Sequence, residues 1–347
     1  MRVLVTGHLG YLGSVLVPML HEAGHDVVGL DVGLYADGIL GPPPEPVKTL
    51  PVDLRDVRPE HCAGVDAVVH LAALCNDPLG DLDPQLTFDV NHHSTVRLAE
   101  AAKVAGATRF LFSSSCSLYG AGGSDALLTE DAEFAPVTPY GESKVRSEAS
   151  LRALADQRFC PVFLRNATAY GYSPRLRGDL VVNDLVGHAL LTGEVRLRSD
   201  GTAWRPLVHV ADICAAFVAL LEVPAERVRA RAFNIGQTAE CHRIRDVAEQ
   251  VAAAVPGSTV TFAPGSGTDT RNYRVSCERV AAELPEFRPG WRLAAGIEQL
   301  VDAYRRYDLR LADLMGERHQ RLAKIRALQQ AGRLDAQLRW TAAGAGG

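Results

Sequence analysis

Two side chains able to move a proton stand four residues apart in "TPYGESK": Tyr140 and Lys144. On a helix that spacing puts both on one face. Thr138 has the chemistry of an N-cap and Pro139 suits the first helical position, so a helix is expected to start here with Tyr140 in its first turn. A tyrosine of ordinary pKa, about 10, is a poor base at neutral pH. A lysine cation and a helix N-terminus both favour the phenolate and would bring it toward the working range. The same spacing is common on solvated helix faces, so its meaning depends on what the rest of the chain supplies.

The N-terminus supplies a nucleotide cradle. "RVLVTGHLGYLGSVLVPMLHEAGHDVVGLD" reads as strand, glycine turn, helix, strand and closing acidic residue. Gly7 permits the tight turn, Gly10 lets the backbone approach a pyrophosphate, and Gly13 lets the helix pack close to the strand. The helix N-terminus then offers N–H groups and positive dipole to the anion. Asp31 stands where a carboxylate accepts hydrogen bonds from the adenosine ribose, and its charge repels a 2′-phosphate. NAD is therefore expected rather than NADP, and an oxidised nicotinamide would favour the Tyr140 phenolate further.

Elements of matching kind must position these residues. Up to about residue 170, the apolar runs "RVLVT", "DVVGLD", "AVVHLAA", "RFLFSSS" and "CPVFLRNATAYG" alternate with helical stretches from about Tyr11, through "STVRLAEAAKVAG" and after Pro139. Short continuous apolar strands separated by helices call for a parallel sheet covered on both faces. The expected fold is α/β, a Rossmann-type doubly wound sheet with a smaller C-terminal α/β substrate lobe. Residues 1–170 are assigned to the first, 171–315 to the second, and 316–347 to a C-terminal helix and flexible tail. The segment "LADLMGERHQRLAKIRALQQAGRLDAQLRW" reads as one charged amphipathic helix that caps the lobe or aids a homodimer, with a disordered "TAAGAGG" after it.

Composition narrows the partners. The chain of 347 residues is 47% hydrophobic and has a formal net charge of -5, with no basic patch to hold nucleic acid. No apolar run reaches membrane-spanning length and no secretory signal opens it, so neither a membrane nor export is expected and the location is read as cytoplasmic. Seven scattered cysteines without a CxxC pair read as free thiols, and no metal is expected.

With its GxxGxxG spacing and later motifs, the chain resembles the extended short-chain dehydrogenase/reductase superfamily, and within it the NAD-dependent epimerase/dehydratase family acting on nucleotide sugars. The resemblance runs from about Val3 to Val280. Its motifs are "TGHLGYLG", "DLRD", "HLAA", "DVNHHS", "SSSCSLYG", "YGESK" and "RPLVHVAD". On the cofactor side it implies Tyr11 and Leu12 in the turn, Asp53 and Leu54 near the adenine, then Leu71, Ala72, Ala73, Asn91 and Ser113. It makes Tyr140 and Lys144 catalytic, with Ser115 hydrogen-bonding the reacting hydroxyl. Arg205 would contact the substrate pyrophosphate, with Arg271 as the second arginine and Arg274, three residues later, as its rival, and Asn183 the sugar diphosphate. Thr168 replaces an asparagine common in the family and changes the donors facing the sugar.

The reaction implied is epimerisation of a nucleotide sugar through transient oxidation to a ketosugar. Family dehydratases carry Asp-Glu directly after the catalytic Ser/Thr, whereas this chain has Cys116 and Ser117. Cys116 is read as packing. A dehydratase, ketoreductase or decarboxylase on the same scaffold, or a non-catalytic dinucleotide sensor, remain alternatives, and the base and sugar of the substrate are not legible.

Overall fold

The computed structural model describes residues 1–75, 80, 83–263, 267, 269 and 271–342, so the last five residues of the expected tail lie outside the described residues. Seven strands form the main sheet: β1 (Arg2–Thr6), β2 (Asp26–Leu30), β3 (Lys48–Leu50), β4 (Ala67–His70), β5 (Arg109–Ser115), β6 (Cys160–Asn166) and β7 (Ala232–Ile235). Their order is β7-β6-β5-β4-β1-β2-β3, and all the pairings are parallel. β3 is short and polar and has no apolar run to announce it.

Alternation within each strand feeds two cores. Val3 and Val5 of β1 pack with Leu16, Leu20, Val69 and Phe217 on one face, while Leu4 packs with Val28, Val68, Leu98 and Phe110 on the other. The Gly13–Glu22 and Val210–Glu222 helices cover the first face; the Ser94–Val104 and Pro139–Ala153 helices cover the second. Strand order reverses at β1, and a crevice opens there beyond the carboxyl ends of the strands. His70 ties that end together: its Nδ1 pairs with Thr6 Oγ1 at 2.6 Å and its Nε2 with Thr95 Oγ1 at 2.8 Å.

The second lobe has its own core around Val182, Leu185, Val247, Ile297 and Leu300, supplied by the Val181–Thr192, Ile244–Ala254 and Leu293–Arg306 helices. The run "CPVFLRNATAYG" is two strands, β6 and Thr168–Tyr170, because the chain leaves the main sheet at Ala167. Thr168–Tyr170 pairs with strand Trp204–His209. The chain crosses the boundary at residue 170 again, since β7 returns from the second half to the edge of the main sheet.

The C-terminal segment departs from expectation. Instead of one helix there is a short one, Leu311–Met315, then Gly316, then Arg321–Gln330 and a turn in which Leu334 bridges Trp340. A Cβ on Gly316 would stand 2.4 Å from the Ala312 carbonyl oxygen, which marks where the first helix stops. Leu311–Met315 packs on the lobe and the His319 carbonyl accepts from the Gly178 N–H, but the segment from residue 321 onward docks on the cofactor half: Lys324 pairs with Asp37 and Arg339 with Asp56, each at 2.5 Å. Among the described residues no helix is long and apolar enough to cross a membrane.

Candidate active site

A continuous cavity of about 960 Å³ runs along the crevice. One end is the glycine turn. Gly7 has φ +74°, and a Cβ there would meet the Ala72 backbone at 2.8 Å. A Cβ on Gly10 would meet only the Gly7 carbonyl within 4 Å, so the turn stays open toward the cavity that Gly10, Tyr11 and Leu12 line. Gly13 does not line it. A Cβ there would sit 2.4–2.5 Å from the backbone of His8 and Gly7, so its role is to let the helix pack against the turn.

Asp31, Asp53 and Leu54 line the same end, and Leu71, Ala72 and Ala73 its floor. The Asp31 carboxylate accepts from the N–H groups of Leu9 at 3.1 Å and Gly33 at 2.8 Å, which fixes it at the rim. Asp53 caps the turn that follows it and holds the Arg55 guanidinium at 2.6–2.8 Å. Asn91 is a correction. Its amide is buried, exchanging two hydrogen bonds with Leu74 and donating to Ser143, so it holds the loop after β4 rather than facing the cofactor. The open turn, the rim carboxylate and the apolar floor fit a dinucleotide, and NAD is the cofactor they fit.

The middle of the cavity holds Tyr140, Lys144 and Ser115. Thr138 accepts from the Gly141 N–H and starts the Pro139–Ala153 helix, as its sequence predicts. Tyr140 and Lys144 share the face toward the cavity, with the Lys144 Nζ 5.5 Å from the Tyr140 ring centroid. The ammonium is buried and donates to the Ser113 carbonyl at 2.8 Å. Burial brings it down to about 8, against the opposing pull of Cys75 and Glu148.

At the end of β5 the serines diverge. Ser115 Oγ donates to Ser117 Oγ at 3.0 Å, and both line the cavity; Ser113 also lines it, its hydroxyl accepting from Asn166 at 3.0 Å. Ser114 donates to Glu148 at 2.6 Å, joining the buried Glu148–Arg165 pair. Cys116 does not line the cavity. Its thiol is buried against the Arg165 carbonyl, and burial pushes its pKa well above the ordinary range, so it packs as the sequence suggested.

The far end is cationic. Arg205 and Arg271 both line the cavity and converge on Asp269: Arg205 Nη2 reaches its Oδ2 at 2.6 Å, and Arg271 Nη2 the same oxygen at 3.1 Å. Arg205 also donates to the Arg271 carbonyl. Thr168 lines the wall. Asn183 does not, and corrects the expectation that it touches substrate. Its amide is fully buried, bonding both backbone groups of Gly171 and the Arg177 carbonyl, and so pins the 171–177 loop to the Val181–Thr192 helix.

Sequence reasoning missed several residues here. Arg196 and Arg198 line the cavity because they alternate with the buried Val195 and Leu197 on strand Glu194–Leu197 and beyond it, a period of two that "EVRLR" displays. Arg177 had no such signal. It is held by Asp179 at 2.9 and 3.0 Å, reaches the Cys75 sulfur at 3.5 Å, and interacts electrostatically with Tyr140. Asp269 becomes visible only through the two arginines it gathers.

Residues 3–236 match the family model described as the NAD dependent epimerase/dehydratase family. The chain is 33% identical over 325 residues to the UDP-glucose 4-epimerase of Mycolicibacterium smegmatis, covering 88% of this chain and 99% of that protein. It is similar to the solved structure of MoeE5 in complex with UDP-glucuronic acid and NAD, at 28% identity and TM-score 0.76, over 88% of this chain and 99% of the other. The NAD complex of Thermus thermophilus UDP-glucose 4-epimerase is 27% identical with TM-score 0.73, over the same 88% and 99%.

Proposed function

The chain belongs to the NAD-dependent epimerase/dehydratase family, and on that premise we propose that it is a nucleotide-sugar epimerase that inverts the same carbon it transiently oxidises. The observation carrying this reading is the continuous cavity that joins the glycine turn and Asp31 at one end, Tyr140, Lys144 and Ser115 in the middle, and Arg196, Arg198, Arg205 and Arg271 at the other. Guanidinium groups bind two phosphate oxygens at once, so the cationic end suits the substrate pyrophosphate. The similarity to a UDP-glucose 4-epimerase supports a UDP-hexose as substrate.

When bound, NAD supplies the hydride acceptor and then the hydride donor. Tyr140 takes the proton of the sugar hydroxyl as the carbon beneath it is oxidised, and returns it when the carbonyl is reduced. Lys144 and Arg177, both cationic beside the phenol, favour the phenolate in the first step. Ser115 donates to the same oxygen and holds its position. Inversion comes from turning the ketosugar over between the two steps.

The surroundings of Ser115 favour this route over dehydration. Elimination of water needs an acid for the leaving hydroxyl and a base for the neighbouring carbon proton. The positions after Ser115 are a thiol buried away from the cavity and a serine hydroxyl. Purified protein incubated separately with UDP-, dTDP- and GDP-hexoses, and followed by NMR, should convert a UDP-hexose to one epimer with no net reduced cofactor. A deoxy-ketosugar product would overturn the reading in favour of a dehydratase.

A further inference from the structure

The structure assigns the C-terminal segment, residues 316–342, to the dinucleotide site: it builds the outer wall of the adenosine end and retains the cofactor between turnovers. The inference rests on the NAD reading of the cavity and is independent of which sugar is transformed. Leu322 and Leu338 line the same cavity as Asp31 and Leu54, although they lie 268 to 307 residues further along the chain.

The segment is fastened to the two loops that carry those cofactor residues. On the loop after β2, Asp37 pairs with Lys324 at 2.5 Å and the Val32 carbonyl accepts from Trp340 Nε1 at 2.7 Å. On the turn after β3, Asp56 pairs with Arg339 at 2.5 Å and Arg55 donates to the Gln337 carbonyl at 2.7 Å. Beneath these polar contacts, Ile325, Leu328 and Leu334 form an apolar cluster with Leu74 and Leu86. Displacing the wall would therefore break ion pairs and expose apolar surface together.

Leu338 shows how firmly the wall is placed. It is buried and has φ +56°, a left-handed conformation that a leucine adopts only when its surroundings over-determine it. The Asp335 carbonyl accepts from the Leu338 N–H at 3.1 Å, and the Asp335 carboxylate accepts from the Arg339 N–H at 2.8 Å. This turn aims an apolar side chain at the adenosine end. A cofactor that returns to its starting oxidation state each cycle has no need to leave, and a wall of this kind slows its loss.

Two full-length variants test the assignment without removing the segment. Leu338→Gly deletes the side chain at a position whose backbone suits glycine, and Leu322→Ala shortens a side chain within a helix that alanine favours. NAD dissociation constants and release rates are measured by titration and by nucleotide retained after dialysis, with melting temperatures of the cofactor-free proteins alongside. The expected result is weakening of NAD binding by about tenfold for each variant, from the lost apolar contact, with faster release; cofactor-free melting should change little for Leu322→Ala, whose side chain is only partly buried, and fall for Leu338→Gly, whose side chain belongs to the apolar cluster. NAD held by both variants as tightly as by the parent would overturn the assignment while leaving the cofactor reading intact. A parent that fails to bind NAD would overturn both.

Discussion

Tyr140 is placed by forces that have little to do with catalysis. A threonine cap and a proline start its helix, and the next turn carries Lys144 into the cavity beside it. Loss of the phenol by Tyr140→Phe should lower turnover by on the order of 10²–10⁴, the range of general acid–base catalysis, while NAD binding changes little. Steady-state rates and NAD titration check it. Asp31 makes a second residue-scale prediction. Asp31→Ala should narrow the preference for NAD over NADP, because it removes both a ribose acceptor and a repulsive charge, and competition binding of the two nucleotides reads this out. The residues in these predictions were legible because each sits in a short motif whose spacing is itself the geometry. Asn91 and Asn183 were misread for a related reason. An amide in a motif says that hydrogen bonds are needed, but whether they go to ligand or backbone is decided by the fold, and here backbone takes them.

At the scale of elements, the arginine-lined end of the cavity is assembled from pieces distant in sequence. Arg205 comes from strand Trp204–His209, Arg271 and Asp269 from the stretch before strand Tyr273–Val275, and Arg196 and Arg198 from strand Glu194–Leu197 and its exit. Charge-assisted hydrogen bonds are each worth about 1.5–3 kcal/mol, so Arg205→Ala should weaken nucleotide-sugar binding by about tenfold to a hundredfold. Binding of the bare nucleoside diphosphate should weaken in parallel, whereas NAD binding should hardly change. Asp269→Asn should give a smaller loss of the same kind, because it loosens both arginines without removing either. Calorimetric titration of the three proteins checks the order. The strands were legible in the apolar runs of the first half, where burial on both faces leaves little choice of residue. The C-terminal segment was not, because its helical period continues through a glycine that only packing turns into a break, and its docking partners lie in loops near residues 32–56.

The molecule as a whole keeps several histidines neutral in its interior. Burial holds His70 down to about 3 and His209 to about 4, against an ordinary value near 6.5 in the unfolded chain. The unfolded chain therefore takes up protons below pH about 6.5 that the folded one refuses. The stability these sites contribute is complete above that pH and is lost as pH falls toward 4. By about pH 5 each costs on the order of 2 kcal/mol, so the melting temperature should fall measurably between pH 7.5 and 5, and a flat profile would contradict the burial of these rings.

The claim that joins residue, element and molecule is that one carbon is oxidised by Tyr140-assisted hydride loss, turned over, and reduced again without any neighbouring carbon losing its proton. The measurement that bears on it most directly is the reaction of a UDP-hexose in deuterated water, followed to equilibrium by NMR. The expected result is an epimeric pair interconverting with no solvent deuterium on any ring carbon. Deuterium appearing beside the reacting carbon would contradict it, and would show that a carbon base operates in this cavity.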